Sequence, residues 1–181
     1  DQKPHLIFWL GALFFHLFGM SAVVFKLPVL LFSVLGFYST YRLGRLLYDR
    51  QTGLLAMLIL MSSEIWLLFS NDIHTDILMA SATAFGLWQL LAFLEEKKNI
   101  QFVLGFTGIG LAVLSKGLIA LAVPVFAIGG HLLARKQYHE LFHLRWLLGI
   151  PILMLFFLPT IIGIYRQLGF EGLHFYFWEN N

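Results

Sequence analysis

Charged residues divide the chain into long apolar stretches at 4–25, 27–41, 51–63, 77–94, 99–115, 117–134 and 146–165. Most of them approach the ~20 residues that carry a helix across a ~30 Å hydrocarbon layer. None alternates apolar and polar positions as a lipid-facing strand does, and inside the layer every backbone N–H and C=O must bond within its own segment. Helix is therefore the expected element. The pattern predicts six crossing helices, over 27–43, 53–70, 77–95, 100–115, 117–134 and 146–165.

The first stretch has two readings. His5 and His16 are eleven residues apart, which at about 100° per residue puts them about 20° apart on one face. A helix over Leu6 to Gly19 lying in the membrane interface fits that layout. A span from Pro4 to Phe25 is the alternative, and it requires a tight hairpin around Lys26.

Composition changes the picture by removing rival classes. Hydrophobic residues make up 59% of the 181, charged residues 12%, and mean hydropathy is +0.80, against roughly 25% charged in a soluble domain. Too few polar residues remain to cover a water-soluble globule. The net charge of +2 excludes a basic surface for nucleic acid. With no cysteine, disulfides, thiolate nucleophiles and Cys-ligated zinc are excluded. Without an initiator Met or a signal peptide, the chain reads as a fragment.

Orientation follows from the distribution of cations. Arg42, Arg45, Arg50, Lys97, Lys98, Arg135, Lys136 and Arg145 fall in one set of connections, whereas the other set holds Lys3, Lys26, Lys116 and Arg166. Eight against four assigns the first set to the cytoplasm. The opposite connections are short and chemically mixed. Asn71 to Asp76 packs Asp72, His74 and Asp76 into one loop, suited to binding a divalent cation or to acid–base work, or else to a solvated turn capping the next helix through Thr75 or Asp76. Ser115-Lys116-Gly117 sets an ammonium beside the start of the next helix, a combination that attracts anions, although a snorkelling Lys at a membrane edge also accounts for it.

Glu64 falls within the predicted 53–70 helix, about eleven residues from its cytoplasmic end. An ionisable group near the midplane is a functional candidate by default, with a protonated, hydrogen-bonded Glu as the structural alternative. Gln89 and His131 are read as helix-to-helix hydrogen-bonding groups. Pro124, Pro151 and Pro159 are expected to interrupt their helices. The final Phe175-Tyr176-Phe177-Trp178-Glu179-Asn180-Asn181 suits an aromatic belt at headgroup level or a pocket wall.

In chain order, several motifs occur: Lys3-Pro4-His5-Leu6 with Leu17-Phe18-Gly19, Phe25-Lys26-Leu27-Pro28, Tyr41-Arg42-Leu43-Gly44-Arg45, Thr75-Asp76-Ile77-Leu78, Gly110 to Gly117 and Trp178-Glu179-Asn180. Together they resemble the GT-C glycosyltransferases that use polyprenol-phosphate sugars, the group of aminoarabinose lipid A transferases and bacterial relatives of dolichyl-phosphate-mannose protein mannosyltransferases. The resemblance implies an all-α integral membrane protein with about six transmembrane helices and an N-terminal interfacial helix, a fragment of a larger GT-C domain. It divides 1–181 into a loop end and interfacial helix over 1–26, transmembrane helices over 27–165 and the start of an extracytoplasmic segment over 166–181.

The implied activity is inverting transfer of a monosaccharide from an undecaprenyl or dolichyl phosphate to a lipid, glycan or protein acceptor on the extracytoplasmic face of a bacterial inner membrane. Lys3, Lys116, Asp72, His74, Asp76, Glu179 and Asn180 are the implied substrate- and phosphate-binding residues. The family's catalytic Asp falls before residue 1, so Asp1 is not its equivalent and the isolated fragment is expected to be inactive. The cofactor stays unknown, with a divalent metal one candidate: some relatives hold such a metal partly through a Glu where this chain has Gln2 and a His where it has Asn180, and those two ligands do not carry over. The rival classes are a transporter or channel subunit with Glu64 as ion site, and a non-catalytic assembly subunit.

Overall fold

A computed structural model describes residues 6–71, 74–141 and 144–174, and helix is the only regular structure among them. Helix α1, Leu6–Phe18, ends where Gly19 takes a positive φ of 83°. Ser21 then caps α2, Ala22–Leu47, its Oγ accepting from the Val24 N–H at 3.2 Å. Asp49 caps α3, Arg50–Ser62, in the same way through the Thr52 N–H at 2.7 Å. These short polar side chains satisfy donors that the first helical turn leaves unbonded.

The single helix expected over 53–70 is two helices. Ser63 is extended (ψ 128°) and its Oγ accepts from the Trp66 N–H at 3.3 Å, which ends α3 and starts α4, Glu64–Asn71. Ser62 bonds back to the Ile59 carbonyl at 3.1 Å. Adjacent hydroxyls offer the backbone alternatives to the helical ladder, which is why the break falls here. Glu64 is consequently the exposed first residue of a new helix rather than a carboxylate inside a continuous one.

Helices α5, Thr75–Glu96, and α6, Asn99–Lys116, form an antiparallel hairpin turned by Lys97, which sits in the left-handed region at φ 55°. A 3-10 turn, Leu118–Leu121, leads into α7, Ala122–Ala134. The short α8, Tyr138–Leu141, and a 3-10 turn, Leu144–Leu148, precede α9, Gly149–His174, which is kinked at Gly169 (φ 66°). Pro124 and Pro151 are third residues of α7 and α9 and do not interrupt them, because first-turn N–H groups have no intrahelical partner to lose. Pro159 and Pro28 lie inside helices that continue past them, and the break in α9 comes at glycine.

Four helical stretches, Ala22–Leu47, Thr75–Glu96, Asn99–Lys116 and Tyr138–Gly163, are long and apolar enough to cross a membrane. The α3–α4 pair and the shorter apolar Leu118–Ala134 stretch occupy the positions of the other two expected crossings. At 1.5 Å per residue, α3 and α4 add about 20 and 12 Å, together matching the ~30 Å core. All eight predicted cytoplasmic cations cluster where α2, α5 and α7 end and α3, α6 and α9 begin, termed here the basic end. Ion pairs knit it: Lys97 to Glu140 and Lys98 to Glu96, both at 2.6 Å.

The α5–α6 hairpin is the centre of the bundle. A Cβ on Gly108 would lie 2.8 Å from the Gly86 nitrogen, and one on Gly105 would lie 2.5 Å from Leu90. The missing side chains let the two backbones approach closely, the usual means of holding helices together where lipid removes the hydrophobic drive. Phe102 and Phe106 pack with Leu90, Phe93 and Leu132 toward the basic end. A second cluster, Leu6, Ile7, Val29, Ile77, Leu78 and Leu114, closes the opposite end. It anchors the start of α1 beside the first turn of α5 and the last turns of α6.

Candidate functional site

Antiparallel pairing of α5 and α6 brings residues 40 positions apart in sequence together at the end opposite the basic one. Asp76 lies in the first turn of α5, where the positive end of the helix dipole favours a carboxylate. Lys116, the last residue of α6, donates from Nζ to Asp76 Oδ1. His74 occupies the cap position of α5 without making a side-chain cap bond, so neither Thr75 nor Asp76 is the cap. Its Nδ1 lies 3.8 Å from Asp76 Oδ2, an ion pair when the imidazole is protonated. The Phe69 ring stacks on the imidazole with centroids 4.3 Å apart and planes at 21°, restricting its rotation.

The three polar side chains are 35–44% exposed, open at the surface of the bundle. Their backs are fixed. Ser115 is fully buried and bonds the Leu111 carbonyl at 2.8 Å, while Ile77 and Leu78 are buried beneath Asp76. The anion site expected from a helix start after Gly117 differs in structure: the chain enters a four-residue 3-10 turn there, and the ammonium is directed at Asp76. A one-turn helix has little dipole, so Lys116 itself is the source of positive charge here.

Chemically, a Lys held by a carboxylate keeps further N–H donors for an anionic oxygen, and an imidazole beside it can add another. Among the described residues no three of His, Cys, Asp and Glu come together as a metal-binding group. The described part of the cluster supplies His74 and Asp76, and the carboxylate is engaged by an ammonium. Lys3, Asp72, Glu179 and Asn180 lie outside the described residues. The structure adds Phe69, which sequence reading missed because nothing in its position marks the stack on His74. Glu64 is exposed on these helices and joins no cluster with the other candidate residues that are described.

Fold and site together define a helical integral membrane segment with a charged cluster at one membrane surface and a basic end at the other. A family profile described as dolichyl-phosphate-mannose-protein mannosyltransferase matches residues 2–162, and the chain belongs to that family. This agrees with the resemblance carried by the sequence motifs.

Among relatives, an uncharacterised protein of Aquifex aeolicus is 26% identical over 168 residues, covering 92% of this chain and 33% of its own length. The undecaprenyl phosphate-alpha-4-amino-4-deoxy-L-arabinose arabinosyl transferase 2 of Proteus mirabilis is 23% identical, over 98% of this chain and 32% of its own. Crystal structures of ArnT from Cupriavidus metallidurans, apo and bound to undecaprenyl phosphate, superpose with TM-scores of 0.85 and 0.86. At 19% identity they cover 99% of this chain and 34% of theirs, which establishes the shared fold. The chain thus spans about a third of the length of these relatives.

Proposed function

We propose that this chain forms the donor-phosphate side of a membrane glycosyltransferase, which moves one monosaccharide from an undecaprenyl or dolichyl phosphate to a lipid, glycan or protein acceptor. The supporting observation is the Lys116–Asp76–His74 cluster, set at the membrane end opposite eight cations. Excess Lys and Arg mark the cytoplasmic side, which supports an extracytoplasmic position for the cluster, in what we take to be a bacterial inner membrane. The Proteus and Cupriavidus relatives, one named for an undecaprenyl phosphate sugar and one bound to undecaprenyl phosphate, support that carrier.

In the proposed reaction, which inverts the anomeric centre, a base removes the acceptor proton. The acceptor atom bonds to the anomeric carbon as the bond from that carbon to the phosphate oxygen breaks. Negative charge collects on the leaving polyprenyl phosphate, and fixed cations in a partly dry site stabilise it. Lys116, oriented by Asp76, and Lys3, three positions before Leu6 in the helix start packed beside this cluster, take that role. His74, Asp72, Glu179 and Asn180 are assigned to orienting sugar and acceptor. The base lies upstream of residue 1, so the 181-residue chain alone transfers no sugar.

The test is Lys3→Ala in the full-length enzyme, assayed with a labelled polyprenyl-phosphate sugar and normalised to folded protein in membranes. Turnover falls roughly 100-fold or more, and Lys3→Arg keeps part of it. A snorkelling anchor would lower insertion but leave turnover per folded molecule unchanged. Near-wild-type turnover in Lys3→Ala removes Lys3 from the site.

A further inference from the structure

Between α7, the turn before α9 and the α5–α6 hairpin lies an apolar groove of about 250 Å³. Leu90, Phe106, Ile128, Leu132, Trp146 and Leu153 are among its walls. It runs from Leu121, at the end of the 3-10 turn, along α7 to Leu132, eleven residues on, or about 16 Å. That is close to half the ~30 Å hydrocarbon layer, the depth of a single leaflet.

The groove ends at the basic end. Leu132 stands two residues before the end of α7, and Arg135 and Lys136 come directly after that helix. Trp146 lies in the 3-10 turn Leu144–Leu148, a level where aromatic rings meet headgroups. Its Nε1–H is satisfied by the Glu140 carbonyl at 2.7 Å, so it presents its ring to the groove. Positive charge at this mouth is only partly neutralised: Arg135 reaches Glu95 at a loose 3.9 Å with both side chains over 40% exposed. Lys136 is exposed, and Glu140 is already paired with Lys97.

We infer that the groove holds one acyl chain of an anionic phospholipid from the leaflet at the basic end, with its phosphate at Arg135 and Lys136. Charge complementarity selects this occupant. The phosphate of the sugar carrier belongs at the opposite membrane end in the function proposed above, far from these cations, and a zwitterionic lipid gains no net attraction from them. Each cation beside an anionic headgroup strengthens binding roughly fivefold.

Gly129 gives a clean perturbation, because it lines the groove and a Cβ built on it meets no atom within 4 Å. Gly129→Leu fills the groove from inside without pushing on neighbouring backbone. The experiment measures saturable binding of phosphatidylglycerol and of phosphatidylcholine to the full-length enzyme in neutral detergent by native mass spectrometry. Thermal stability is measured in parallel.

The wild type binds phosphatidylglycerol preferentially. Gly129→Leu abolishes that saturable binding with the melting temperature in detergent unchanged, and R135Q/K136Q weakens it roughly 25-fold. R135Q/K136Q alters exposed side chains and so keeps the test decisive if the leucine variant misfolds. Equal affinity for both lipids overturns the inference, as does unchanged binding in either variant. No saturable binding, or displacement by polyprenyl phosphate, also overturns it, pointing to another segment or to the carrier tail in the groove. The readout is lipid binding rather than sugar transfer, so its failure is distinct from failure of the proposed function.

Discussion

Lys116→Ala in the full-length enzyme separates a charge that acts on the substrate from one that merely ties two helices. The Lys116–Asp76 pair is 44% and 35% exposed, and an ion pair so open to solvent is worth about 0–1 kcal/mol of stability. If that were all it did, loss of Lys116 would change the folded fraction by about fivefold at most. A preorganised charge facing a leaving phosphate is worth about 2.7–4 kcal/mol, or 10²–10³ in kcat. The two effects differ by more than tenfold, so turnover per folded molecule decides between them.

Lys116→Ala also leaves the Asp76 carboxylate without its ammonium partner, where its charge would repel a phosphate. Asp76→Asn removes that charge while keeping the side-chain shape, so the double variant isolates the ammonium. Expected outcomes are a loss of roughly 100-fold or more in Lys116→Ala and no recovery in Lys116→Ala/Asp76→Asn. The assay is transfer from a labelled polyprenyl-phosphate sugar, with folded protein quantified in the same membranes. Turnover within about fivefold of wild type, or full rescue by Asp76→Asn, would refute a direct role for Lys116.

Gly108→Val sets a Cβ 2.8 Å from the Gly86 nitrogen and 2.9 Å from its Cα, an overpacking expected to cost about 1–3 kcal/mol. The melting temperature in detergent should fall, and an unchanged value would contradict the close α5–α6 approach. Hydrogen bonds from the Thr52 backbone and side chain hold the Asp49 carboxyl below its ordinary value. The cap's stabilisation is therefore full above the unfolded-state value and lost as pH falls through the lower folded one. Asp49→Asn should flatten stability between neutral and strongly acid pH relative to wild type, and parallel pH profiles would disprove the cap's contribution.

Much of the bundle was legible because lipid imposes a coarse rule: a pass needs a long uncharged run, and charges must sit at its ends. Helices α5 and α6 fall within two residues of their predicted bounds for that reason. The rule is blind to local chemistry inside a run. It joined α3 to α4 because Ser62, Ser63 and Glu64 are only three polar positions among apolar ones, and the cap at Ser63 depends on a backbone bond to Trp66. It also credited Pro124 and Pro151 with interrupting helices, where their place in a first turn makes them harmless.

By itself, the sequence determined the solvent, the helical class, the charge asymmetry between the two ends and the family motifs, since each depends on residue type and spacing along one chain. Only tertiary structure decided that Lys116 is held by Asp76 and that Phe69 stacks on His74. The same is true of α7 and Trp146 enclosing a groove against Leu90 and Phe106. The pairing of Lys116 with Asp76 depends on how closely α5 approaches α6, set by Gly86, Gly105 and Gly108. That distance comes from the fit of two helix surfaces, and neither helix encodes it alone.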